Sequence, residues 1–554
     1  MNPSSSSGSR TPLHLDLSEK ENPSVTAMTT GRASWRKPLA LTSAMLAVIG
    51  LAACSPAAPA RDASAQSGAP LASDTALDGA WQQRTYKSIY EQKIDWHPCT
   101  ADDGLDDQVS PVLEEAKVDV STYECGTVKA PMDWANPSDT RTIDLAVVRI
   151  PSTGDPDKAI PLFMNPGGPG ASGVQQAMSM PATPAFTKVM ETHEAWGFDP
   201  RGVGRSTPVS CPSDSEIGAV QLAECAKTNP IAHYMGTSYV ARDMELLRVL
   251  SGAPRLDYLG YSYGTMLGAT YATLFPSTAG RMILDSAENA KWGSIEHNYD
   301  QQVAVAKAAG ALADSCTKMT TLEGAPVTCP FTSEREMLDY KKSLDETPLK
   351  ASDGTEITGS ELRDFLTSAL YNFPEAQASS LDLLGKAKSG DQQAIDELSA
   401  QIASGGAEID TAGQLTVCPS TPKTPDLAGL IEHIKKVGVP EFIGGPELTD
   451  EVISEYTKFE CASLAETGTD FTDTFDASKV KNPLLVIGIT GDHATPFQHG
   501  KELAEQLGKA SFLTLEGTGH GASFSERSSC VDAAAVDYLN TGALPEEGTV
   551  CQAE

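Results

Sequence analysis

The chain is short of basic residues: 41 Lys and Arg stand against 74 Asp and Glu among 554 residues, a formal net charge of −33 at pH 7. With no basic surplus to neutralise phosphates, nucleic acid is excluded as a partner. The acidic balance reads as a solubilising surface and says little about a substrate. No C-x-x-C occurs among the 11 cysteines, so neither a zinc ribbon nor a thioredoxin-like redox site is expected, and no motif asks for a cofactor or a metal. There is no internal repeat, and the longest apolar run is too short to cross a bilayer comfortably. What remains is a globular composition, 40% hydrophobic and 21% charged, in a chain long enough for two domains or for one with a large insertion.

The N-terminus carries the first positive signal. Arg32, Arg36 and Lys37 precede an apolar run from Leu39 to Ala53, the layout of a signal peptide. The run ends in Leu51-Ala52-Ala53-Cys54, which resembles a bacterial lipobox and implies that Cys54 becomes a lipid-modified first residue. Residues 1–27 are polar and read as an extension upstream of that signal, so residues 1–53 are expected to be removed. An Ala/Pro/Ser/Gly-rich stretch follows, and residues 54–80 are expected to be a flexible tether, with ordered sequence from Trp81. The cysteines other than Cys54 are even in number and fall into sequential neighbours, which suits disulfides in an oxidising compartment. Export to the cell surface is the expectation, with the membrane touched only through the lipid; oligomeric state is open.

Beyond Thr142, short apolar runs alternate with helical stretches. Strands are expected at Thr142–Ile150, Pro161–Met164, Glu194–Phe198, Leu256–Leu259 and Arg281–Leu284, and helices at about Tyr239–Leu250 and Tyr263–Phe275. This is the signature of an α/β fold, a mostly parallel sheet with helices on both faces. The alternation stops over 287–476, which reads as a helical insertion. It resumes with a strand at Pro483–Ile489, a helix near His499–Leu507 and a strand at Ser511–Leu515. The expected organisation is a core in two parts, 81–286 and 477–554, with a helical cap between them over the carboxyl edge of the sheet, where open α/β sheets bind ligands.

Gly260-Tyr261-Ser262-Tyr263-Gly264 lies between an expected strand and an expected helix, the context that gives a G-x-S-x-G pattern its meaning. A serine hydroxyl is a poor nucleophile without a base to take its proton. His520, in Gly519-His520-Gly521 after the last core strand, is the expected base; His193, His493 and His499 do not follow that strand. Asp492, directly after the preceding strand, is the expected acid that orients the imidazole, with Asp285 as its rival at the end of the strand after the nucleophile helix. Asn165-Pro166-Gly167-Gly168-Pro169-Gly170 follows the third core strand; the N–H groups of Gly168 and Tyr263 are the expected oxyanion donors, since Pro169 has none.

Together with the segment Gly197–Ser206 and Asp492-His493-Ala494-Thr495-Pro496, these motifs resemble the proline iminopeptidase and tripeptidyl aminopeptidase branch of the α/β-hydrolases, above all the actinobacterial tripeptidyl aminopeptidases. The resemblance extends from about residue 90 onward and to the local Cys pairs, including the segment bounded by Cys530 and Cys551. It implies an α/β-hydrolase fold with a helical cap, no metal, and release of short peptides or single residues from free N-termini by a Ser262–His520–Asp492 triad. The oxyanion motif has Pro166 where proline iminopeptidases have His-Gly-Gly, which favours the tripeptidyl branch. The Asp199–Ser206 turn is expected to be structural. Glu288, Glu361 and Glu375 are available to meet a substrate α-ammonium, and none is singled out. An esterase on the same triad and a lipid-anchored binding protein on a hydrolase fold are the other readings.

Overall fold

The computed structural model describes residues 73–554 except 214, 216, 406–410 and 457–459. Cys54, the signal-like segment and most of the expected tether lie outside the described residues. The end of that tether is not free: Leu77 is buried, and the Arg242 guanidinium donates to the carbonyls of Leu77 and Asp74. The ordered chain therefore starts before Trp81, held by an arginine that the composition of the tether could not reveal.

Eight strands make the body of a ten-stranded sheet. They are β1 (Glu124–Pro131), β2 (Thr142–Ile150), β3 (Ile160–Asn165), β4 (His193–Phe198), β5 (Leu256–Tyr261), β6 (Ala279–Asp285), β7 (Leu484–Gly491) and β8 (Ala510–Thr518). Their order across the sheet is β1-β2-β4-β3-β5-β6-β7-β8, with His97–Pro98 and Val550–Gln552 as short outer strands. From β4 to β8 every pairing is parallel, and β2 is antiparallel to both of its neighbours. The strands are nearly continuous in apolar residues because both faces are covered. Alternate side chains divide cleanly: Phe163, Tyr258, Leu284 and Val486 enter one core, and Leu162, Leu259, Ile283 and Ile487 enter the other.

Helices close both faces. Within the core, α1 (Gly173–Ser179) packs on the second face, while α2 (Thr237–Leu250) and α3 (Tyr263–Leu274) pack on the first. Between β6 and β7 the described residues form eight helices: α4 (Ile295–Ser315), α5 (Glu334–Glu346), α6 (Gly359–Ala369), α7 (Pro374–Lys388), α8 (Gln392–Gly405), α9 (Thr411–Val417), α10 (Leu427–Val437) and α11 (Asp450–Tyr456). Most of this stretch has a core of its own, with Tyr299, Leu366, Leu384 and Ile434 inside it. Leu415, Cys418, Leu464 and Phe475 instead join the sheet's first core. Then α12 (Phe497–Leu507) and α13 (Ser529–Thr541) complete the two faces.

Disulfides join Cys99–Cys125, Cys211–Cys225, Cys316–Cys329, Cys418–Cys461 and Cys530–Cys551, each cysteine to its neighbour in sequence. Among the described residues no helix is long and apolar enough to cross a membrane.

Candidate active site

Parallel register gathers the ends of five strands at one edge. Asn165 of β3 lies opposite Gly260 of β5, Tyr261 opposite Asp285 of β6, Asp285 opposite Ile487 of β7, and Gly491 opposite Thr518 of β8. Each of the chemistry-bearing loops leaves from this edge.

Ser262 sits between β5 and α3 with φ 54° and ψ −124°, a conformation that costs a non-glycine residue about 1–3 kcal/mol and persists because its surroundings hold it. Its N–H bonds to the Asp285 carbonyl at 3.0 Å, and its own carbonyl accepts from Thr265 Oγ1 at 2.6 Å. The turn leaves no room for side chains around it: a Cβ on Gly264 would lie 2.8 Å from the Asn165 carbonyl. Likewise a Cβ on Gly167, which has φ 95°, would meet Ser262 Cβ at 2.8 Å and Tyr263 N at 3.1 Å. The Asn165–Gly170 loop and the serine turn thus touch closely, and the glycine at the contact is Gly167.

Within that loop the Gly167 N–H is taken by Asn165 Oδ1 at 3.0 Å, so it is not a free donor. Gly168 follows with φ 102°, and Tyr263 is the first residue of α3, where an N–H has no partner inside the helix.

On the far side, His520 Nδ1 faces both oxygens of Asp492, at 3.0 and 3.1 Å. A carboxylate only accepts, so Nδ1 carries the proton and Nε2 is left as the acceptor. Asp492 is itself fixed, accepting from the N–H groups of Ala494 and Thr495 at 2.9 Å each and from Thr495 Oγ1 at 2.8 Å. Burial alone would raise the Asp492 carboxyl, but the His520 charge and hydrogen bond, with the backbone N–H of Thr495, bring it below its ordinary value. For His520 burial works downward, and the Asp492 charge and hydrogen bond outweigh it, so its pKa lies above the ordinary 6.5.

The rival acid, Asp285, has another task. It is buried and accepts from the N–H groups of Ala522 (3.0 Å) and Ser523 (2.6 Å) and from the Ser523 hydroxyl. Ser286 Oγ accepts from the Gly521 N–H at 2.8 Å, and the Tyr261 hydroxyl donates to the Ser523 carbonyl at 2.9 Å. The loop bearing His520 is thereby tied to Tyr261, just before the serine, and to Asp285 and Ser286 at the end of β6. Sequence order places a base and an acid; it does not reveal this anchoring, which depends on which way a loop backbone faces.

Two further side chains stand beside the pair, His493 from the Asp492–Pro496 motif and Tyr371, which no motif marks. His493 is buried, its pKa pushed down to about 4 chiefly by that burial, with its ring centroid 5.9 Å from that of His520. Tyr371, just after α6 in the helical stretch, is 55% exposed. Its ring stands edge-on to His493 at 4.5 Å and 6.0 Å from His520. The Asp199–Ser206 turn is an organiser: Arg201 is fully buried against Asp243 at 2.6 Å, and Asp199 accepts from the Arg205 N–H at 2.8 Å and from Ser172 Oγ. Of the three candidate amine ligands, Glu361 is spent as the capping-box partner of Thr358, Glu375 is exposed, and Glu288 is buried.

The fold, with a serine on a strained strand-to-helix turn and a carboxylate–imidazole pair on the last two strand ends, defines an α/β-hydrolase of the serine-hydrolase class. Residues 449–551 match the TAP-like protein family. A serine protease of Mycobacterium tuberculosis is 27% identical over 500 residues, covering 83% of this chain and 91% of the relative. A protein named carboxylesterase B from the same organism is 29% identical over 518 residues, covering 87% and 94%. The tripeptidyl aminopeptidase of Streptomyces coelicolor is 31% identical over 347 residues, covering 58% and 59%. These matches liken the chain to the TAP-like branch of the α/β-hydrolases.

Proposed function

We propose that the chain is an exported serine exopeptidase that releases short peptides, tripeptides in the first instance, from free N-termini. The observation that carries this reading is the Asp492–His520 pair, its loop held by the Tyr261 hydroxyl next to Ser262 and by Ser286, with the Tyr371 ring of the helical stretch beside it. In this reading His520 Nε2 takes the Ser262 proton and Ser262 Oγ attacks the scissile carbonyl. The Gly168 and Tyr263 N–H groups receive the oxyanion, the amine leaves with the proton from His520, and water then releases the acyl group by the same path. Relatives named as a serine protease and a tripeptidyl aminopeptidase support it. The carboxylesterase B relative favours a second reading, ester hydrolysis on the same residues.

A free tripeptidyl amide, its N-acetylated counterpart and a short acyl ester separate the two. The exopeptidase reading expects the free amide to be cleaved and acetylation to abolish cleavage; comparable turnover of the blocked amide or a preference for the ester would overturn it. Replacing Tyr371 by Ala is expected to raise KM several-fold with little change in kcat, since the ring borders the site without touching the reacting atoms.

The base must be neutral to work, and the His520 pKa lies above 6.5, so kcat/KM should rise with pH through a midpoint above that value. A profile already flat at pH 6 would contradict the pairing. The stability linkage has two signs. The raised His520 value adds stability that is whole below 6.5 and lost as pH rises through the folded pKa. The depressed Asp492 value adds stability present above 3.8 and lost as pH falls through the folded pKa.

Lipidation of Cys54 and anchoring at the outer face of the membrane belong to the same proposal, resting on the sequence Leu51–Cys54.

A further inference from the structure

Behind Asp492, on a side lined by neither Ser262 nor His520, a cavity of about 830 Å³ opens between the start of α4 and the start of α12. His297 and His499 line it, together with Asp300 and His433. Two of these, His297 and His499, with the neighbouring Glu288, all buried, bring one potential ligand atom each within 4.8 Å of one another.

Three features set this cluster apart from an ordinary buried ion pair. First, Glu288 Oε2 abuts His297 Nε2 without hydrogen-bond geometry, and neither atom has another partner among the described residues. His297 Nδ1 and His499 Nδ1 are likewise buried with no partner. A polar atom buried without a partner costs about 1–3 kcal/mol, so the two Nδ1 atoms, beside a crowded Glu288–His297 pair, point to a group that binds there. Second, His499 is oriented from outside: its Nε2 faces Asp300 Oδ2 at 3.5 Å, and Asp300 in turn meets His433 Nε2 at 2.6 Å. A carboxylate behind one ring nitrogen turns the other nitrogen's lone pair toward a metal and raises its basicity. Third, the His297 and His499 rings are stacked with centroids 4.2 Å apart, so the two imidazoles stand next to one another.

We propose that Glu288, His297 and His499 form a binding site for a divalent transition-metal ion of the zinc type, with its remaining coordination position open to the cavity. Two imidazoles and a carboxylate are a borderline donor set that suits Zn²⁺ better than Ca²⁺ or Mg²⁺, which take oxygen ligands. Zinc bonds of about 2.0–2.2 Å at tetrahedral angles separate ligand atoms by about 3.4 Å; the three residues offer atoms within 4.8 Å of one another, and the abutting Glu288 and His297 atoms part slightly as the ion enters between them. Any proton held on His297 Nε2 leaves to solvent as the ion arrives. The Glu288 N–H bonds to Thr265 Oγ1, which bonds to the Ser262 carbonyl, so the site stands two hydrogen bonds from the serine turn.

The test is metal content of the tag-free full chain after equilibrium dialysis against buffered micromolar Zn²⁺, read by mass spectrometry of the metal, with Co²⁺ as a spectroscopic substitute. One Zn²⁺ per chain is expected, and His499→Ala should weaken binding at least tenfold. Asp300→Asn, which leaves all three ligands in place, should weaken it about 10–100-fold. The Co²⁺ form should show the intense visible bands of a four- or five-coordinate site. Absence of bound Zn²⁺, or binding that both variants leave unchanged, would overturn the proposal. Should His499→Ala not fold, His297→Gln takes its place. None of these readouts uses hydrolytic activity, so they stand or fall apart from the exopeptidase reading.

Discussion

Replacing Ser262 by Ala is expected to lower kcat by about 10⁶-fold while leaving the thermal transition almost unmoved. The size of the loss follows from the way a triad works as one unit: without the hydroxyl there is nothing for His520 to deprotonate, and only the oxyanion donors and substrate binding remain to accelerate the reaction. The structure explains the small change in stability. Ser262 is held through its backbone, by the Asp285 carbonyl and by Thr265 Oγ1, and among the described residues no hydrogen bond to its own side chain contributes to the turn. Alanine keeps the strain of φ 54°; glycine would relieve it, so Ser262→Gly should be as inactive as the alanine variant and somewhat more stable. Activity and melting curves on the three proteins check both halves. An alanine variant within tenfold of the parent would remove Ser262 from the chemistry.

The second large effect distinguishes two aspartates that sequence order leaves in competition. Asp492→Asn should lower kcat by about 10⁴-fold, because an amide donates where the carboxylate accepted and turns the imidazole to the wrong tautomer. Its neighbours Ala494 and Thr495 can still donate to the remaining carbonyl oxygen, so the fold should tolerate the change. Asp285→Asn should act in the opposite proportion. That carboxylate serves the Ala522 and Ser523 N–H groups and the Ser523 hydroxyl in a buried site, and losing charge-assisted bonds there costs about 2–3 kcal/mol. Burial already raises the Asp285 pKa, so its anchoring should weaken early on acidification. If Asp285→Asn proved the catalytically dead, stable variant, the roles given to the two residues would have to be exchanged.

Much of this was legible in the chain. The alternation at Thr142–Ile150 coincides with β2, and the apolar runs ending at Leu259, Leu284 and Ile489 lie in β5, β6 and β7, because a strand buried on both faces leaves little choice of residue. The serine turn could be read because glycine, serine and a following helix are all required at fixed spacing. Other features were not readable, each for a physical reason. The short strand Val550–Gln552 lacks any apolar run and owes its place to β8 and to the Cys530–Cys551 bridge. Ser73–Gly79 has the composition of a tether, and distant residues fix it: Arg242 holds the Leu77 and Asp74 carbonyls, and Ser73 Oγ donates to the Thr469 carbonyl. Tyr371 and the cluster of Glu288, His297 and His499 arise from residues far apart in the chain, which no local pattern brings together. The anchoring of the His520 loop by Asp285 and Ser286 rests on backbone N–H groups, which leave no mark on residue type.

The most direct test of the central claim is covalent: treatment of the full chain with a fluorophosphonate, followed by peptide mapping of the adduct. One adduct per chain is expected, on the Ser262 hydroxyl, formed quickly in the parent, slowly in Asp492→Asn and not at all in Ser262→Ala. Labelling at a different serine, or labelling that persists in Ser262→Ala, would contradict the assignment of this turn as the reacting centre.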